Sequence, residues 1–409
     1  MIDALPPQAL ERTRRRKVVW LPVLGMLVLG MSGLTLLGLA TSRVGVAAVL
    51  VGAVAALLPV ATVVGAFMWV DRWEPEPPKV MLVAFLWGAC IATVTSLAVN
   101  DHADIIGELV LGMTDVDLVR SVVVAPVAEE LTKGLFLLGL LLFRRHEFNG
   151  LVDGVVYAGM VAAGFAFTEN IFYFGRAFAE SGLGGVDQGV VGVFILRGVF
   201  APFAHPLFTT MIGLGAGVVA ASRRPLRWLA LLGGFLLAVL LHALWNGSAT
   251  IGNGVAWLNF YFLVMVPVFA GVVWLVIWQR RREQRVVAGK LRFFAERGWI
   301  APSEVPLLGS LAKRRRWRLK VLRRSGPAAA RAVTTYQNAV TALAFLYHRI
   351  HQGAEGPETR ERHDQLLTAL QQARAEAVRA ASKASGGRPR RNRRRKEEEA
   401  VTAAESAED

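Results

Sequence analysis

Glu129 and Glu130 stand side by side in the middle of a stretch, Leu118 to Phe143, that is otherwise apolar enough to cross a membrane. An ionised carboxylate at the centre of a bilayer is costly unless it is partnered, so carboxylates in such places are candidates for chemistry. Lys133 follows Glu129 at i,i+4 on one helix face, where its ammonium can hold and orient the carboxylate. Glu130 points about 100° away around the same helix. One glutamate can therefore face a catalytic water while its neighbour braces another helix, the asymmetry a general base with a structural companion needs. A salt-bridge network that only stabilises a bundle would use the same three residues.

Further polar groups lie in later apolar stretches: Glu169 with Asn170, His205 flanked by Pro202 and Pro206, and His242 with Asn246 at i,i+4. The prolines should open the helix around His205 and free backbone groups, which is tolerated at membrane depth only where protein or water satisfies them. Two carboxylate helices and two histidine helices together match the needs of peptide hydrolysis, namely a base for water, a group to hold that water and donors for the oxyanion. No His-Glu-x-x-His or His-x-x-Glu-His run occurs. A zinc site can still be assembled from Glu169, His205 and His242, because a catalytic zinc needs three protein ligands and an open position. In the metal-free alternative Glu129 activates water directly, with His242 and Asn246 as hydrogen-bond donors.

These residues must be positioned by membrane helices. The chain has 409 residues, 54% of them hydrophobic, gathered in runs of about the 20 residues that span a bilayer. The expected fold is an all-α polytopic bundle of about eight spans: 18–40, 44–70, 80–99, 118–143, 151–174, 190–222, 228–246 and 255–278. The first run follows Arg12, Arg14, Arg15, Arg16 and Lys17 and exceeds the usual apolar core of a cleaved signal, so it reads as a retained helix. Cys90 is the single cysteine and reads as packing within a span.

Arginine and lysine fall on alternate connections, at Arg144-Arg145, at Arg223-Arg224 with Arg227, and at Arg280-Arg281-Arg282, whereas the loop from Asn100 to Asp117 is acidic. This pattern predicts a multi-pass cell-membrane protein with both termini in the cytoplasm. It puts Glu169, His242 and Asn246 toward the outer ends of their spans. It also makes Asp71-Arg72-Trp73-Glu74-Pro75-Glu76-Pro77-Pro78 a cytoplasmic loop whose prolines exclude helix.

After Trp278 the composition changes. The whole formal excess charge of +15 lies there. The expected organisation is a basic N-terminus over 1–17, a membrane domain over 18–278 with its motif core at 65–250, a basic helical tail over 279–385, and a disordered end over 386–409. Within the tail, 283–297, 327–352 and 358–382 read as helices, the second with Val333, Val340, Leu343, Leu346 and Tyr347 on one face. Lys313 to Arg324, with Trp317 among the cations, is the segment expected to meet anionic lipid headgroups. Neither aromatic interleaving nor a recognisable motif points to nucleic acid.

At Glu-Glu-x-x-Lys (129–133), Phe-x-x-x-Glu-Asn (165–170), His205 and its surroundings, and His-x-x-x-Asn (242–246), the sequence resembles the PrsW family of intramembrane proteases, relatives of the CAAX prenyl proteases and bacteriocin-processing membrane peptidases. The Asp71 to Pro77 loop is similar to one common in that family. The resemblance implies an endopeptidase, usually labelled a metalloprotease, that cleaves membrane-anchored proteins near the extracytoplasmic side, in some members an anti-sigma factor. It further implies Glu129 as general base, Glu169 and His205 as groups positioning water or metal, and His242 with Asn246 as oxyanion stabilisers. Glu169 stands where the CAAX-type relatives place a histidine. Two rival classes remain open on the residues alone: a transporter or channel, for which internal repeats are expected but not seen, and a scaffold acting through its basic tail.

Overall fold

The structure, a computed structural model, describes residues 20–73, 75–103, 105, 116–145, 148, 150–222, 224–250, 254–351 and 357–386. The expected basic N-terminus, most of the acidic loop and nearly all of the expected disordered end lie outside the described residues. The chain divides into two compact units, one of Met1–Met68 with Glu76–Phe269 and one of Trp69–Pro75 with Ala270–Asp409.

The first unit is a helix bundle. Its elements are α1 (Trp20–Val44), α2 (Val46–Val70), α3 (Pro78–Asn100), α4, α5 (Leu151–Ser181), α6, α7 (Ala204–Ala221), α8 (Trp228–Thr250) and the first part of α9 (Gly254–Glu296). In α4, Val116–Val119, Arg120–Val124 and Ala125–Phe143 run on without a break, and in α6 Gly189–Phe194 continues into Ile195–Phe200. Helix is the only open-ended way to satisfy every backbone group in hydrocarbon. Among the described residues, seven helices are long and apolar enough to cross a membrane. The eighth expected span, α4, forms as a helix, but Glu129, Glu130 and Lys133 in its middle keep it out of that set. Large apolar side chains such as Leu27, Leu34, Leu50, Leu58, Leu229, Leu236 and Leu240 are exposed on α1, α2 and α8. In water such a surface would aggregate, and it fits contact with lipid.

The expected continuous run over 190–222 is two helices. Ala201 leaves helical geometry at φ −121° and ψ 31°, as the residue before a proline is biased to do, and helix resumes at Ala204, so His205 sits in the first turn of α7. α5 is the enclosed helix of the bundle, buried continuously from Asp153 to Phe165. Its approach to α7 is set by Gly154 and Gly213, where a Cβ on either would run into the backbone of the other. Small residues are how membrane helices come this close. Three helices that carry or flank the polar groups also widen locally to π-helix, at Trp87–Ala92, Arg120–Val124 and Ile195–Phe200, a distortion frequent at functional sites.

The second unit has its own apolar core. α9 continues through Val287, Leu291 and Phe294, and packs there with α10 (Leu311–His351) and α11 (Pro357–Gly386). The tail helices expected at 283–297, 327–352 and 358–382 are thus present, the first as the end of α9. Val333, Val340, Leu343 and Leu346 are buried on one face of α10, with Tyr347 packed beside them. α10 is kinked at Gly326, whose φ of +81° precedes Pro327. Trp73, from the proline-rich loop, is 2% exposed and belongs to this core. The Arg314 guanidinium lies 5.0 Å from its ring, and burial, with Arg318 nearby, pushes that guanidinium down to about 10.

Candidate active site

The polar residues singled out in the sequence come together at one place in the first unit. α4 brings Glu129, Glu130 and Lys133, α5 brings Glu169 and Asn170, α7 brings His205, and α8 brings His242 and Asn246. A cavity of about 1350 Å³ is lined by Glu129, Glu169, Asn170, His205, His242 and Asn246, and reaches Arg43, Asn100, Arg120, Glu180 and Thr250 at one end of the bundle. Glu130 and Lys133 are fully buried behind that wall. The two adjacent glutamates are therefore divided as helical geometry requires, with Glu129 on the cavity and Glu130 inside the bundle.

Glu130 is saturated. Its Oε1 accepts from Lys133 Nζ at 2.9 Å and lies 3.1 Å from His242 Nδ1, and its Oε2 accepts from Thr209 Oγ1 at 2.8 Å. Three helices are thereby fastened to one carboxylate. Glu129 Oε2 accepts from Lys133 Nζ at 3.4 Å and faces His205 Nδ1 at 3.9 Å and His242 Nε2 at 3.8 Å. His205 Nε2 lies 2.7 Å from Glu169 Oε2, and its Nδ1 lies 3.1 Å from Lys133 Nζ.

These partners assign the tautomers. An ammonium can only donate, so His205 Nδ1 accepts and Nε2–H donates to Glu169. A carboxylate accepts, so His242 Nδ1–H donates to Glu130, and in a neutral imidazole Nε2 carries the lone pair. Three lone pairs, on Glu129 Oε2, His205 Nδ1 and His242 Nε2, are then turned onto one another, an arrangement that needs a positive charge among them. Lys133 reaches the first two. Aromatic rings fix the parts in place: Phe208 stacks on His242 at 4.8 Å between centroids, and Lys133 Nζ sits 3.9 Å from the centre of the Phe165 ring.

Glu129, His205 and His242 can each offer a ligand atom within 4.8 Å of one another. Two imidazoles and a carboxylate are a catalytic-zinc donor set, and each imidazole has a carboxylate on its other nitrogen, the usual support for a metal-bound histidine. The residues fit a metal. The set differs from the one expected in the sequence, because Glu169 is engaged by His205 and by Arg197 Nη2, which leaves the third place to Glu129.

Arg197 donates from Nε to Asn170 Oδ1 at 2.8 Å as well as to Glu169, and lies over the Tyr173 ring at 3.9 Å. Asn246 donates from Nδ2 to Ser121 O at 2.8 Å, tying α8 to α4 and leaving one amide hydrogen for a ligand. Thr209 did not figure in the sequence reading, although it lies one turn after His205 on the same face.

The family model described as PrsW family intramembrane metalloprotease matches residues 76–272. Over residues 76–272 the chain is similar to the PrsW family. Three curated relatives agree, each named Protease PrsW. The one from Oceanobacillus iheyensis is 32% identical over 111 residues, which cover 27% of this chain and 46% of the relative. That from Halalkalibacterium halodurans is 28% identical over 147 residues, 36% of this chain and 59% of the relative. That from Clostridioides difficile is 31% identical over 161 residues, 39% and 61%. The chain thus spans about half to three fifths of the length of these relatives. No solved structure matches. The PrsW match takes in every residue of the polar cluster and leaves out Trp73 and the tail.

Proposed function

We propose that the chain is an intramembrane endopeptidase that hydrolyses a peptide bond in a membrane-anchored protein. The observation that carries this reading is the convergence of Glu129, His205 and His242 on the wall of a large cavity, with each imidazole backed by a second carboxylate. Glu129, the glutamate of the pair that faces the cavity, takes the proton of the attacking water and returns it to the leaving amine. Glu130 and Glu169 orient His242 and His205. Lys133 holds both carboxylates of α4 and supplies the positive charge that three facing lone pairs require. Asn246 has one amide hydrogen free for the oxyanion. His242 Nε2, as a lone pair, is better suited to hold a cation than to donate. In the metal-bound alternative Glu129 would be a zinc ligand beside His205 and His242 and not the base, and zinc would supply Lewis-acid polarisation and a lowered water pKa.

The charge pattern of the loops supports an outer-side position for the cavity, since it lies at the end where α1, α3, α5 and α8 finish. An anti-sigma factor anchored by one span is the substrate class the family resemblance favours. The test compares membranes containing the wild-type protein with membranes containing Glu129→Gln, by mass spectrometry of new peptide termini in single-span proteins. Termini near the outer end of a span in wild type alone are expected; identical sets in the two membranes would overturn the proposal.

A further inference from the structure

Between Glu304 and Glu355 the sequence contains no acidic residue. The first half of α10 lies in this interval, and the structure makes it two-sided. Its inner side carries Arg314, whose Nε donates to Leu308 O and whose Nη1 donates to Thr341 Oγ1, both at 2.7 Å. Trp317 also turns inward, 6.1 Å from Tyr336 between ring centroids, so the aromatic expected among the surface cations is partly buried against the core. On the outer side Arg316, Lys320, Arg323 and Arg324 share one hollow of about 370 Å³ with Leu319, and Leu322 is exposed beside them.

This face is out of balance by itself. Like charges at i,i+3 and i,i+4 destabilise a helix, and Arg316, Lys320, Arg323 and Arg324 repeat that spacing, with no ion pair to any of them among the described residues. The spacing disfavours the helix by itself, and an anionic surface would relieve it. Leu319 and Leu322 inside a basic face mark an interfacial helix that seats apolar side chains among headgroups while its cations meet phosphate. Single-stranded nucleic acid would instead call for exposed aromatic platforms, and here Trp317 faces the other way. A bilayer is also always at hand, because α9 runs without a break from its apolar half into the second unit.

We propose that the Arg316, Lys320, Arg323 and Arg324 face of α10 binds the surface of an anionic bilayer, with Leu319 and Leu322 entering the headgroup region. This goes beyond the protease reading and does not depend on it. The test uses the full-length protein with Cys90→Ser and a bimane label on Leu319→Cys, reconstituted in vesicles of brominated phosphatidylcholine with or without brominated phosphatidylglycerol. A second label on Val378→Cys, an exposed site of α11, serves as control. The proposal expects quenching at position 319 only when phosphatidylglycerol is present. It should fall to the neutral-vesicle level in high salt, as screened surface charges require, and in the triple variant Arg316→Gln, Lys320→Gln, Arg323→Gln. The control label should stay unquenched throughout. If the triple variant misfolds, the salt arm on the unaltered face decides. Equal quenching in neutral vesicles, no quenching in either, or an added oligonucleotide shielding the label in place of anionic lipid would each overturn the proposal.

Discussion

His242 Nδ1 stands 3.1 Å from Glu130 Oε1, and the opposite nitrogen of the same ring stands 3.8 Å from Glu129 Oε2. One imidazole thus lies between two consecutive glutamates, and they are not equivalent to it. Glu130 fixes the ring and its tautomer from inside the bundle. Glu129 meets the lone-pair side, next to the cavity.

This division predicts different outcomes at the two positions. Glu129→Gln keeps size and hydrogen-bonding capacity but removes the base, so cleavage should fall by at least the ~10²–10⁴-fold that general-base catalysis contributes. Thermal stability in detergent should stay near wild type, because Glu129 is the more weakly tied of the two. Turnover of a membrane-anchored substrate, paired with a melting curve, reads both. Loss of folding along with activity would favour the purely structural network.

Glu130→Gln should behave in the opposite sense. Lys133 is fully buried and its shortest partner is Glu130 Oε1, so the substitution leaves a buried ammonium under-compensated. Breaking such a pair costs about 3–5 kcal/mol, which should appear as a marked loss of melting temperature and yield. Thr209→Val, which removes one hydrogen bond to the same carboxylate, should cost only about 1 kcal/mol. A Glu130→Gln protein as stable as wild type would contradict the bracing role.

Metal removal gives an independent test. Chelation should abolish cleavage and zinc should restore it, while His205→Ala and His242→Ala should yield protein with little bound metal by elemental analysis. Glu169→Gln should retain metal at about 10–100-fold lower affinity, the usual effect of losing a carboxylate behind a ligating histidine. Full activity in metal-free wild-type protein would leave the Glu129 chemistry standing and remove zinc from it.

The polar cluster was legible in the sequence because unpartnered polar groups are costly in a membrane, so Glu129, Glu169, His205 and His242 could be read as facing one another before any geometry was known. Helical spacing also separated Glu129 from Glu130. It could not say which of them faced the cavity, since that depends on where α7 and α8 pack. The exchange of Glu169 for Glu129 in the candidate metal set has the same origin: Arg197 engages Glu169 from α6, and no periodicity links residues on two helices separated by the connection at 182–188. Thr209 could have been found from its i,i+4 relation to His205. Trp73 could not, because its surroundings are built by helices more than 200 residues later.

Arg197 yields a prediction about positioning. It joins Glu169 to Asn170 through two different nitrogens and so holds the carboxylate that orients His205. Arg197→Lys keeps the charge but cannot make both bonds in that planar geometry. It should lower kcat with little change in KM and weaken metal retention, whereas Arg120→Lys, on the same cavity but exposed and bonded among the described residues to Asn100 O and Asp117, should change neither. Equal effects from the two variants would assign Arg197 to the cavity's general charge.

Trp73 links the proline-rich loop to the tail, and this bears on what tail truncation should do. The loop's prolines leave it without helix, so Trp73 takes its fixed place from the core of the second unit and from the Arg314 guanidinium 5.0 Å from its ring. Trp73→Ala removes a large buried side chain and should destabilise that unit by about 3–5 kcal/mol. Arg314, already buried, loses the ring at the same time. Truncation after Arg285 removes the other wall of the same core, so it should expose Trp73 and lower the yield of inserted protein even though the polar cluster lies wholly in the first unit. Limited proteolysis of the full-length protein checks this. Wild type should resist cleavage across α10 and α11, and Trp73→Ala should be cut there at much lower protease concentration while the first unit remains intact. Equal resistance in the two proteins would show that the tail core is complete without the loop.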